Sequence, residues 1–235
     1  MEYDLLFWSL ATLSAIFVGL GKGGLPIVAM LSVPLLSLVM PTIAAASLLL
    51  PVYIVSDIFA LHAYRRDFDT NILKIGMIGM TIGISVGWMT AHLVVDWMVT
   101  LFIGLIGFCF AFSLLINRKI EQKNFVSLNH KKGYFWTSVA GFTSFISHSG
   151  GPPWQIFMLP LGLRKSVFVG TSVIAFSYCN AIKLVPYYFL GQINLQSITI
   201  PLYLAIPAAI AVLVGVKIIK VIPENFFFKI VSYAL

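Results

Sequence analysis

The chain has 235 residues, of which 60% are hydrophobic and only 10% charged, with a mean hydropathy of +0.98. So few polar groups cannot coat a water-soluble globule, which excludes a soluble catalytic domain and specifies a polytopic membrane protein of all-α class. The net charge of +7 marks cytoplasmic loops in such a chain and implies no nucleic-acid partner; the lipid bilayer is the partner that composition names.

The N-terminal MEYDLL carries Glu2 and Asp4 where a signal peptide would carry Lys or Arg, and no small-residue cleavage site follows. The first apolar segment is therefore expected to stay in the mature fold. Apolar stretches fall near residues 5 to 20, 26 to 40, 42 to 63, 72 to 92 and 97 to 116, then 134 to 147, 152 to 162, 166 to 190, 196 to 219 and 225 to 235. Spanning takes roughly twenty helical residues. The last three stretches of each set approach this length, whereas the first two are shorter and meet at a glycine-proline break. Each short pair reads as a helical hairpin, with breaks near 19–26 and 148–153.

The predicted organisation is a single integral membrane domain: an N-terminal repeat over 1–117, a cytoplasmic linker over 118–133 and a C-terminal repeat over 134–235. The linker is too short to fold alone. Arg65, Arg66, Lys74, Arg118, Lys119, Lys123, Lys131, Lys132, Arg164, Lys165, Lys217 and Lys220 all fall on one side of this layout, which the positive-inside rule makes cytoplasmic. Both ends of the chain then face outward, and His92, Asp96 and Glu224 are expected in solvated outer loops. The last stretch stops about ten residues short of the point equivalent to Asn117, so the natural C-terminus is expected to lie further on. Trp8, Trp88, Trp97, Trp136 and Tyr64 read as an interface belt, with Trp154, beside the second break, as the exception. Cys109 and Cys179 lie in apolar stretches as small hydrophobes, with no disulfide or metal chemistry implied.

The two sets resemble each other. KGGLP (22–26) aligns with SGGPP (149–153), PLL (34–36) with PLGL (160–163) and AASL (45–48) with VGTS (169–172), at an offset of about 125. Asp67 and Asp69 then fall against Gln192 and Asn194, and VVDWM (94–98) against IPENF (222–226). In series these matches argue for a duplicated unit, and an odd number of crossings per unit makes the second copy inverted. Two inverted repeats, each a broken-helix hairpin plus three transmembrane helices, are a transporter architecture.

Irregular backbone at membrane depth survives only inside protein or beside water, so the breaks imply a cavity. Glycines 21, 23 and 24 permit the turn, and Pro26 and Pro153 suit a helix start. Each break is expected to aim backbone N–H groups and a positive helix end at an anion near the membrane midplane. Lys22 is either a buried cation offset by that anion or a tip residue in cytoplasmic water. His148 and Ser149 occupy the matching tip, where the imidazole either binds an oxyanion or proton or makes a structural hydrogen bond. Asp57 and Lys183 lie mid-helix and are expected either to pair with each other or to act in substrate or proton binding. Ser172, Asn180, Lys183 and Tyr187 share one helical face, which lines the pathway or bonds neighbouring helices. No paired-aspartate, Ser-His or HExxH-like constellation occurs in these helices, so neither enzymatic activity nor a cofactor nor a metal is expected.

The hairpins GLGKGGLPIVAMLSVPLL and GFTSFISHSGGPPWQIFMLPLGL, followed by SVFVGTSVIAF, resemble the TauE/SafE family of sulfite exporter-like membrane proteins over nearly the whole chain. The resemblance implies a multi-pass transporter of a bacterial-type inner (plasma) membrane that carries sulfite or another small sulfur oxyanion or organosulfonate. It places Gly21, Gly23, Gly24, Gly150 and Gly151 near the site. The chain departs from the family pattern at Lys22, where glycine is common, at Pro152 and Pro153, and in having AASL where the second half has Thr171 and Ser172. The expected function is secondary export of a small anion between the two breaks, bound by the residues named above. An anion channel, or a proton- or sodium-coupled carrier of another small organic anion, is the alternative, and assembly into a homo-oligomer is compatible with either.

Overall fold

The computed structural model describes residues 4–95, 97–101, 104, 105, 108, 127–193 and 198–233. Glu2, Asp96, Cys109, Arg118, Lys119, Lys123 and Asn194 lie outside the described residues, as do 118–126 of the expected linker.

Among the described residues all regular structure is helical. Helix α1 spans Leu5–Lys22 and starts at Asp4, whose carboxylate accepts from the Phe7 amide at 2.8 Å. Asp69 caps α5 (Thr70–Met89) in the same way, accepting from the amides of Asn71 and Ile72. The return limb of the first hairpin is two short pieces, α2 (Pro26–Ala29) and α3 (Ser32–Leu36), rather than one helix. Pro34 has no N–H to offer the carbonyl four residues earlier. Helix α4 is Thr42–Tyr64. Helix α6 (His130–Ser147) begins inside the segment expected as linker, because the Asn129 side chain caps it through the Lys132 amide. The second return limb is α7 (Gly151–Met158), tightened to a 3₁₀ turn over Leu159–Leu161. The remaining helices are α8 (Lys165–Phe189), α9 (Thr199–Val221) and α10 (Glu224–Tyr233).

Five of these, α1, α4, α5, α8 and α9, are long and apolar enough to cross a membrane. Helix α9 carries Leu202, Ile206, Ile210 and Leu213 exposed along its length, a face that lipid covers without cost. Inward faces are lined with small residues. Gly19 of α1 meets Ala208 and Ala211 of α9, and Gly23 meets Val212 and Gly215, so α1 and α9 run in the same direction. Helices α5 and α6 are likewise parallel, with Gly79 against Thr137, Gly83 against Ser138 and Phe142, and Gly87 against Phe145. A β-carbon at Gly19 would stand 2.1 Å from the Ala208 carbonyl oxygen, and one at Gly83 2.0 Å from that of Ser138. Backbones this close are how helices associate without a hydrophobic driving force. Helices α4 and α8 pack on each other and on α9 and α5 respectively.

Apart from the buried Lys22 and Lys183, basic residues such as Arg65, Lys74, Lys132, Lys165 and Lys220 lie at helix ends that meet, since Asp69 bonds Thr171, α5 and α6 run parallel and Lys165 reaches the end of α9. There the Lys165 ammonium donates to the carbonyls of Ile219 (2.6 Å) and Ile222 (2.5 Å) at the end of α9. Glu224 belongs to this same end, accepting from the Lys165 amide at 3.2 Å, and not to an opposite loop as expected. Tyr64 also departs from the belt assignment: it is buried, and its hydroxyl donates to the Gly23 carbonyl at 2.7 Å.

Candidate binding site between the two helix breaks

Helix α1 ends in a Schellman motif. Gly24 has φ +117, which only glycine adopts readily, and the amides of Gly24 and Leu25 bond back to the carbonyls of Gly21 and Leu20. The Gly23 amide is bonded to Gly19, and Pro26 has no N–H. The first break has therefore spent most of the amide hydrogens that the sequence led us to expect in the site. At the second break the amides of Gly150 and Gly151 carry no hydrogen bond among the described residues. Pro152 and Pro153 have no N–H, and the Trp154 amide is bonded to Gly150. Pro152 and Pro153 limit the main-chain donors at the second break to those two glycine amides, and side chains supply the rest of the polar wall.

Those side chains converge. The Lys22 ammonium pairs with the Asp57 carboxylate at 2.5 Å, and both residues are buried, at 6% and 4% exposure. Asp57 also accepts from Ser177 (2.7 Å) and Asn180 (2.8 Å) of α8, so both of its oxygens are engaged. The pair expected between Asp57 and Lys183 is corrected accordingly: the long Lys22 side chain reaches back from the break into the bundle and takes that role. This also settles Lys22 as buried rather than at a wet tip.

Lys183 lies on the other side, fully buried, donating to the Ser144 carbonyl and hydroxyl at 3.1 Å each and to Nδ1 of His148 at 2.8 Å. These partners are neutral, supplemented by the negative end of α6. An ammonium only donates, so Nδ1 of His148 accepts, and Nε2–H donates to the Ala46 carbonyl at 3.0 Å. That fixes one neutral tautomer. His148 takes the left-handed conformation (φ 55) that ends α6 and turns its ring inward to stack on Tyr53, with centroids 4.6 Å apart. Tyr53 in turn meets the hydroxyl of Ser32 at 2.9 Å and lies 5.5 Å from the Lys22 ammonium.

A cavity of about 70 Å³ lies within this frame. A buried water needs about 10–15 Å³ on such a measure, so the space suits a small solute. Gly21, Lys22, Gly24 and Pro26 line it from the first break, and His148, Gly151, Trp154 and Gln155 from the second; Tyr53, Ser144, Ser172 and Asn180 complete its polar wall. The breaks are not side by side. The first abuts Tyr64 and the second Ala46, eighteen residues apart on α4, about 27 Å of helix. The cavity occupies the interval.

Apart from Ser172, the other expected site residues, Lys183 among them, stand behind this wall. Gly23 meets Gly215, and Gly150 meets the Ala140 carbonyl, both as close backbone approaches. Ser149 is bonded to Ser147 at the tip, and Pro153 is buried in the first turn of α7. Thr171 accepts from the Asp69 amide at 2.9 Å, serving the loop before α5. Tyr187 donates to the Phe145 carbonyl, and with Lys183 it satisfies the last carbonyls of α6. Ser172 accepts the Trp154 indole N–H at 2.8 Å. Sequence reasoning missed Tyr53, Ser144, Ser177 and Gln155; a glutamine alone in the apolar run PWQIFMLP was the available signal.

The frame holds one buried carboxylate and two buried ammonium groups among the described residues, an excess of one positive charge. The family model described as Sulfite exporter TauE/SafE matches residues 6–235. Comparison with curated proteins and with solved structures returns no match.

Proposed function

The chain belongs to the sulfite exporter TauE/SafE family, and is thus a multi-pass membrane transporter and not an enzyme; from that premise we propose that it exports a small sulfur oxyanion or organosulfonate through the cavity between its two helix breaks. The observation that carries this is the charge balance: Lys22 is neutralised by Asp57, whereas Lys183, behind the cavity wall formed by Ser144 and His148, hydrogen-bonds only neutral groups. A buried, incompletely offset cation favours an anion beside it.

Two features support an alternating mechanism between inverted repeats. Helices α1 and α6 begin and end the same 125 positions apart. Helix α1 packs on α9 while α6 packs on α5, the exchange of partners that a twofold relation between halves produces. With the basic end cytoplasmic, the N-terminus lies outside. An inside-negative membrane then drives a monoanion outward with about 2.3 kcal/mol per 100 mV, so no coupling residue is needed. Asp57, held by three partners, is a structural anchor in this scheme rather than a proton carrier.

Proteoliposomes containing the purified chain should take up radiolabelled sulfite, thiosulfate or sulfoacetate, with rates that follow the imposed potential. Movement of a neutral or cationic solute with none of these anions would overturn the proposal, and unitary currents in a planar bilayer would make the protein a channel instead.

A further inference from the structure

Gln155 enters the cavity from α7 and is 1% exposed, yet neither its amide nitrogen nor its amide oxygen has a hydrogen-bond partner in the protein. Buried polar atoms are paired almost without exception, and an orphan pair in a cavity wall marks a place where something else completes the bonding. Its polar neighbours in the wall are committed: Tyr53 to Ser32, His148 to Ala46 and Lys183, Ser172 to Trp154 and Asn180 to Asp57. Gln155 has two N–H donors and an acceptor oxygen left to offer.

Resting on the anion-export reading, the geometry points to Gln155 as the residue that selects a monoanion carrying both acceptor oxygens and one hydrogen-bond donor, hydrogensulfite being the fitting sulfur species. The amide N–H groups meet an anion oxygen, and the amide oxygen meets the guest's own proton. A dianion such as sulfate brings one charge more than the excess cation offsets and turns only acceptors toward the amide oxygen. A donorless monoanion such as methanesulfonate leaves that oxygen unpaired, and sites built to hydrogen-bond a guest reject analogues that lack the group.

The test compares wild type, Gln155→Met and Gln155→Glu in proteoliposomes at one pH, with radiolabelled sulfite as substrate, sulfate and methanesulfonate as competitors, and thermal unfolding of each protein. Wild type should carry sulfite with weak competition from both. Gln155→Met, of similar length and apolar, should raise the sulfite KM about 10- to 100-fold, the worth of hydrogen bonds to a charged group. It should also make methanesulfonate compete as well as sulfite, at an unfolding temperature no lower than wild type. A structural glutamine would instead lower that temperature while leaving selectivity unchanged, which overturns the inference, as does a wild-type KM in Gln155→Met. Should that variant not fold, sulfite uptake at the wild-type level by Gln155→Glu overturns it, since a carboxylate there repels the anion. Wild-type protein that moves no sulfur oxyanion removes the transport reading and this inference together, and so is distinguishable from a failure of Gln155 alone.

Discussion

The Lys22 ammonium and the Asp57 carboxylate, 2.5 Å apart and both buried, join the end of α1 to the middle of α4 and, through Ser177 and Asn180, to α8. Removing one partner of such a pair strands the other charge away from water, at a cost of about 3–5 kcal/mol, whereas replacing both with apolar groups is nearly neutral. Asp57→Asn and Lys22→Met should each destabilise the protein by roughly that amount, and the double replacement Lys22→Met with Asp57→Leu should recover most of it. Thermal unfolding in detergent reads both effects. A double variant destabilised by the sum of the two single losses would show that the two residues act independently.

Lys183 tests the charge balance. Replacing it by Gln keeps a donor for the Ser144 carbonyl but removes the charge. A cation about 8 Å from an anion at an effective dielectric near 20 is worth about 2 kcal/mol, so sulfite affinity should fall about 30-fold. Isothermal titration with sulfite measures this directly. An unchanged Kd in a folded Lys183→Gln protein sinks the role of this residue in holding anions.

How much of this was legible beforehand follows from what each kind of signal can carry. Composition alone specified a membrane protein, because bilayer and water demand such different surfaces. The breaks were legible because Gly24 and Pro26, and Gly151 and Pro153, are residues whose backbone chemistry disqualifies a continuous helix. The partner of Asp57 was not. Symmetry between the halves pointed to Lys183, but pairing depends on helix rotation and on how far a lysine stem bends, and Lys22 reaches back from the break to Asp57. The scarcity of amide donors beyond Gly150 and Gly151 at the second break was readable in principle from Pro152 and Pro153, whose missing N–H groups are a property of the sequence itself. Gln155 was visible only as an oddity until burial and the absence of partners gave it meaning.

Close helix contacts make a separate prediction about stability. A methyl at Gly83 would lie 2.0 Å from the Ser138 carbonyl oxygen, and one at Gly19 2.1 Å from that of Ala208, and backbone cannot yield as a side-chain end can. Gly83→Ala and Gly19→Ala should each cost about 1–3 kcal/mol or more by forcing the helices apart. Gly104→Ala, where a methyl meets nothing within 4 Å, is the matched control and should be neutral. Neutral behaviour at all three positions, read by detergent-solubilised thermal unfolding, would contradict the packing of α5 on α6 and of α1 on α9.

Trp154 offers a direct optical report on the cavity. Its indole is buried in the wall, with the ring N–H donated to Ser172, and it is the one of the five tryptophans that lines the cavity. Indole emission responds to nearby charge, so an anion arriving beside Lys22 and His148 should change it, whereas tryptophans facing lipid should not respond. Sulfite titration should therefore shift or quench the wild-type signal with the same midpoint as binding measured by calorimetry. Trp154→Phe should abolish the response while keeping a ring against Phe157 and Phe176. Loss of the Ser172 hydrogen bond should cost about 1 kcal/mol of stability, and sulfite transport should persist within a few-fold. A sulfite-dependent signal that survives in Trp154→Phe would place the anion elsewhere in the bundle, since Trp154 is the tryptophan that lines this wall.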